Sequence, residues 1–118
     1  MDEQLTRSGR TTIAPDVLIT IARLSALATP GVSRMGSAPG GVNRLLKRGA
    51  AEGVQIDITD NQVTANLHIV VKADANVREI SRNVQAEVAR AIHEMLGMDV
   101  VAVNVIIDDV DYGEDPAR

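Results

Sequence analysis

The chain has 118 residues, 45% of them hydrophobic and 24% charged, with 12 basic against 16 acidic side chains and a formal net charge of -4. That length holds one core, and the acidic balance disfavours generic attraction to phosphate backbones. Tyr112 is the one aromatic residue, so a ring platform for stacking bases is excluded, as are aromatic cages.

The absence of cysteine removes disulfides, thiol nucleophiles and cysteine-based metal sites, and suits a reducing compartment. Met1-Asp2-Glu3-Gln4 opens without a basic or apolar leader and no apolar run reaches the ~18 residues a span requires, so neither a signal peptide nor a membrane span is expected. Residues 1–10 read as a disordered lead, 11–112 as a single domain and 113–118 as an acidic flexible tail.

Thr11-Thr12-Ile13 reads as a short strand, followed by a helix from Pro15 to about Ala28, with Pro15 in the first turn and Asp16 at the positive end of the dipole. Val17, Leu18, Ile21, Leu24 and Ala28 form its core stripe. Ile19, Ala22 and Ala26 widen the apolar arc to roughly 220°, against the roughly 100° that packing on one sheet requires. Two readings stay open: a helix sunk in its own core, or an extra face, Ile19, Ala22 and Ala26, that meets a partner or a second copy.

Thr29-Pro30-Gly31 ends the helix and Val32 to Met35 reads as a strand. A glycine-rich segment, Gly36 to Gly41, then leads to Arg44, Lys47 and Arg48, with no acidic residue between Arg34 and Arg48. Val54, Ile56 and Ile58 alternate with Gln55, Asp57 and Thr59, and Val63, Ala65, Leu67 and Ile69 alternate with Thr64, Asn66 and His68. A two-residue turn at Asp60-Asn61 pairs Ile58 with Val63, Ile56 with Ala65 and Val54 with Leu67. Polarity then agrees in every pair, which predicts an antiparallel hairpin with one buried and one wet face.

A second helix is predicted from a cap at Asn76, with Glu79 three residues on, through Val77, Ile80, Val84, Val88, Ala91, Ile92 and Met95 to Gly97. The Val- and Ile-rich run Val100 to Ile107 reads as a strand in the sheet interior, interrupted by Asn104. The expected fold is α+β: a two-layer sandwich, an antiparallel or mixed sheet with two helices on one face.

No catalytic constellation emerges. His68 and His93 lack partners at metal-ligand spacing, the serines lie in no nucleophile motif, and the Gly36–Gly41 loop lacks the phosphate-loop ending. Asp108, Asp109, Asp111 and Glu114 lack the alternation of a calcium loop and read as a solvated acidic stretch. The polar sheet face, Gln55, Asp57, Thr64, Asn66, His68 and Asn104, is a neutral hydrogen-bonding surface that is either simply wet or a docking surface. An alternative is a small anion- or RNA-binding module in loop 36–48, carried by Arg44, Lys47 and Arg48.

TTIAPDVLITIARLSALATPGV, GVQIDI, VTANLHIVV, IHEMLGMDV and VVAVNVIIDDVDY occur in this order over residues 11–112. On these stretches the chain resembles the alkaline shock protein family of envelope stress response proteins. It departs from that family at His68, Lys72-Ala73 and Pro15. The resemblance implies a non-enzymatic cytoplasmic protein without cofactors, able to self-assemble, with a membrane-anchored protein as partner and no span or nucleic acid of its own. It also places Tyr112 where the family tends to have an aromatic, read here as a plug at the core's edge.

Overall fold

Alternation of apolar and polar residues every second position, and apolar recurrence every third or fourth, build two layers in the computed structural model, which describes residues 11–37 and 50–113. The elements are α1 (Pro15–Leu27), β1 (Val32–Met35), β2 (Ala50–Ala51), β3 (Val54–Thr59), β4 (Gln62–Lys72), α2 (Val77–Leu96) and β5 (Asp99–Asp111). Both helices pack on one face of a five-stranded mixed sheet. The expected α+β sandwich is therefore the fold.

The long strand β4 organises the sheet. Its outer neighbour on one side is β5, parallel over its whole length. Its other edge is shared end to end by two antiparallel strands, β1 against Val71–Ile69 and β3 against Leu67–Gln62. Between them, the His68 carbonyl accepts from Gly36 N–H at 2.7 Å and the His68 N–H donates to the Gly53 carbonyl at 2.8 Å. The hairpin register is the one polarity demands, Val54 with Leu67, Ile56 with Ala65 and Ile58 with Val63.

The core lies between this sheet and the helices. Val54, Val63, Ala65, Leu67, Ile69 and Val71 supply its floor, and Leu18, Ile80, Val84, Val88 and Ile92 its roof. α2 starts where the Asn76 Oδ1 accepts from Glu79 N–H at 3.0 Å and stops at Gly97 in the left-handed conformation.

Five expectations require correction. Thr11–Ile13 forms no strand: these residues join no ladder, and the chain enters α1 through Ala14, which Pro15 holds in extended geometry. On α1, Ile19, Ala22 and Ala26 are buried in the chain's own core with Leu18 and Ile21, while Leu24 is 54% exposed and Val17 and Leu27 are also open. The helix is rotated to put its alanines inward, where a small side chain permits close approach to α2 and the sheet. Those three residues are consequently not a free interaction surface.

β5 is an edge strand rather than an interior one, since β4 is its sole ladder partner among the described residues, and Val101 is 57% exposed. It also runs to Asp111, beyond the predicted end at Ile107, which carries Tyr112 past the helices. Tyr112 is 73% exposed and plugs nothing.

Candidate docking surface

Because a strand sends alternate side chains to opposite faces, the register of β3, β4 and β5 decides what the uncovered face displays. Gln55 and Asn104 each pair with Asn66, one from either side, forming a row of amides across three strands. The Asn104 Nδ2 donates to the Asn66 Oδ1 at 2.8 Å. The next row is Asp57, Thr64 and Ala102, and on the other side His68 lies beside Ile106. All six polar residues singled out in the sequence thus share one face, opposite the one on which α1 and α2 pack.

The far end of the face has a different character. β5 holds two bulges, because Val63 and Thr64 pair with Val100 and Ala102, and Ile69 and Val70 pair with Ile107 and Asp109. Val101 and Asp108 are the extra residues. The second bulge places the Asp108 Oδ1 2.8 Å from the His68 Nδ1. Beyond it, the Ser33 hydroxyl donates to the Asp111 carboxylate, and the Arg34 Nη1 lies 3.6 Å from the Asp111 Oδ2. A neutral amide end therefore grades into an ion-paired end, a gradient absent from the sequence-based expectation. None of these partners is close to its mate in sequence: they meet through a parallel pairing and a bulge.

The Ser33 hydroxyl, then the Gly113 N–H, then the Arg34 and Lys72 cations hold the Asp111 carboxyl below its ordinary value of 3.8. A depressed folded pKa gives stability that is present above the unfolded value and is lost as pH falls through the folded one. The Asp111→Asn variant is accordingly expected to be less stable than the native chain at neutral pH. That difference should vanish in acid, below 3.8, as the native carboxyl protonates. Thermal unfolding of both chains from neutral pH downward tests this. A gap that persists or widens in acid is the contrary result.

A second concave feature lies on the helix side. Leu24, Ala28, Pro30, Asn83, Ala86 and Arg90 line a groove of about 590 Å3 between the end of α1 and the middle of α2. Arg90 is held there by Glu87 and Glu94, which raise its pKa, Glu87 through its hydrogen bond foremost.

Among the described residues, no three His, Asp or Glu side chains converge as a metal site, and no helix is long and apolar enough to cross a membrane. Arg44, Lys47 and Arg48, the alternative anion site, lie outside the described residues, as does most of loop 36–48.

These features define a two-layer α+β domain in which both described helices pack on one sheet face and the polar row lies on the other. Over residues 3–112 the sequence matches the alkaline shock protein 23 family, described by a cell envelope-related function, and the chain belongs to that family. Its function is therefore cell envelope-related. Similar relatives include the uncharacterized protein YqhY of Bacillus subtilis, 27% identical over 95% of this chain and 84% of that one. YloU of the same organism is 26% identical over 92% and 93%. Spy1614 of Streptococcus pyogenes is 27% identical over 89% and 90%. In fold, the chain is similar to a doubly substituted MamM CTD, with a TM-score of 0.55 at 15% identity over 86% of this chain and 97% of that one. A singly substituted MamM CTD gives 0.52 at 11% identity over 81% and 95%.

Proposed function

We propose that this protein is an interaction module that works at the cytoplasmic face of the cell envelope, held there by a membrane-anchored protein partner that docks on the open sheet face. The observation that carries the reading is the amide row, Gln55, Asn66 and Asn104, on the sheet face opposite the two described helices. Amides both donate and accept, so they recognise a protein surface without selecting a charge. The polar pairs at the far end add orientation, since Asp108, hydrogen-bonded to His68, and the Arg34–Asp111 ion pair present groups held in place to a partner.

A photo-crosslinking side chain introduced at Asp57, which is exposed on this face, is expected to trap a membrane-protein partner in cells under envelope stress. The same group at Arg82, exposed on α2, should trap far less. Equal labelling from both positions, or a native protein that fractionates as wholly free of the membrane under stress, overturns the reading. Capture of RNA in place of protein, lost on replacement of Arg44, Lys47 and Arg48, would favour the anion-binding alternative.

A further inference from the structure

We infer that the groove between the end of α1 and the middle of α2 receives a basic amphipathic helix of another protein. Its two walls differ in chemistry, and the difference follows from the roughly 100° that separates successive helical residues. On α1, the flank turned to α2 carries Val17, Ile21, Leu24, Ser25 and the C-cap Ala28, without a charge. Asp16 and Arg23 stand on the opposite flank, where Arg23 pairs with Glu52 of the turn between β2 and β3. Leu24 is 54% exposed and Val17 42%, so the chain's own core leaves part of this apolar flank in solvent.

On α2 the charges are sorted between two flanks. Gln85 donates to the Val103 carbonyl at 3.1 Å and so marks the flank toward β5, which also carries Arg78 and Arg82. Glu87 and Arg90 line the groove on the other flank, with Glu94 bonded to Arg90 beside them. Past Pro30 and Asn83 the groove continues to Glu79. Three carboxylates thus stand against one guanidinium, and both Glu87 and Glu94 engage it. The last turn of α1 holds no basic residue, so the negative end of its dipole adds to the same field. An apolar wall therefore faces an acidic one. The complementary occupant joins an apolar stripe to a flank of Lys or Arg, whereas phosphate backbones and anionic headgroups are repelled.

That the occupant is a helix follows from the backbone. Both walls are helices, whose N–H and C=O groups are bonded within themselves, and the Thr29 Oγ1 donates to the Ser25 carbonyl at 2.9 Å near the end of α1. An extended segment would find no ladder partner here, but a helix brings its own bonds. Apolar side chains at three- and four-residue steps then rest on Leu24 and Ala28, and the small Ala86 and Ala91 give them room. The groove's volume of about 590 Å3 holds these anchors. It lies on the helix side, so its occupant is independent of whatever docks on the sheet face.

The probe is a fluorescently labelled peptide of about fourteen residues, with Leu at helical three- and four-residue steps and Lys on the adjoining flank. The full chain is expected to bind it reversibly, and more weakly as salt rises. The same residues in scrambled order should bind about tenfold more weakly, and a version with Glu for Lys not measurably. Leu24→Ser and the pair Glu87→Gln with Glu94→Gln should each weaken binding about tenfold, while Arg82→Gln leaves it unchanged. All these positions are at least partly exposed, and urea midpoints show that the variants stay folded. Amide shifts on titration should move at Ala28, Asn83 and Ala91 and stay fixed at Gln55, Asn66 and Asn104. Equal binding of the scrambled peptide, shifts confined to the sheet face, or no binding of any peptide at millimolar concentration overturns the proposal. So does a Leu24→Ser exchange that changes the chain's own sedimentation and leaves peptide binding intact, which would assign the groove to a second copy.

Discussion

Leu67→Ala is expected to destabilise the fold by about 2–5 kcal/mol, toward the upper end of that range. Leu67 is fully buried at the middle of β4, between Val54 of β3 and Val105 of β5. Neither Phe nor Trp occurs in the chain, so the core is assembled from aliphatic side chains, many of them Val and Ile. β-branched residues have restricted χ1 and cannot swing into a vacated space. The hole left by three lost carbons therefore stays open, and the cavity penalty adds to the lost transfer energy. Against a typical stability of about 5–15 kcal/mol for a domain, that is a large share. Urea unfolding should show a lower midpoint at unchanged slope. Ile106→Ala, on the open face of the neighbouring strand, should cost no more than about 1 kcal/mol. If the two variants lost the same, the core would not be centred on β4.

Legibility in the sequence follows the physics of each element. The β3–β4 hairpin was readable pair by pair, because a two-residue turn and a period of two leave a single register that sorts polarity. The same period assigned Gln55, Asp57, Thr64, Asn66, His68 and Asn104 to one face. α2 was readable at both ends, since Asn76 caps it and Gly97 supplies the left-handed residue that stops it.

What escaped is tertiary in origin. β5 looks interior because Val103 and Val105 face the helices while Ala102 and Ile106 add apolar character to the other side. Nothing local says that β4 is its sole ladder partner among the described residues. The His68–Asp108 and Ser33–Asp111 contacts join residues 40 and 78 apart in sequence, through a parallel ladder whose bulge no periodicity reveals. α1 was rotated in the expectation because alanines count as weakly apolar. Ala22 and Ala26 are buried on account of their size, which lets elements approach, a property that hydrophobic periodicity does not weigh.

The junction where β1 gives way to β3 yields the second large effect. Gly53→Ala is expected to cost about 2–4 kcal/mol. Glu52 and Gly53 form the two-residue turn between β2 and β3, with φ of 55° and 81°, the mirror-image geometry that hairpins favour and side chains resist. Strain at positive φ is only part of the cost. A Cβ on Gly53 would lie 2.6 Å from the Gly36 carbonyl oxygen and 3.1 Å from that of His68. Both are backbone atoms, in the hydrogen-bonded relay from Gly36 through His68 to Gly53, and neither can rotate aside. Gly97→Ala separates the two contributions. Its φ of 70° carries similar strain, yet a Cβ there meets nothing within 4 Å, so a loss of only about 1 kcal/mol is expected. Chemical denaturation of the two variants gives the difference directly. Amide exchange at Gly36 and His68 should accelerate in Gly53→Ala alone, because opening this relay parts β1 and β3 from the shared edge of β4. Equal losses from the two glycines would mean that the strands meet loosely. His68 would then be held on the open face by Asp108 rather than by its own backbone.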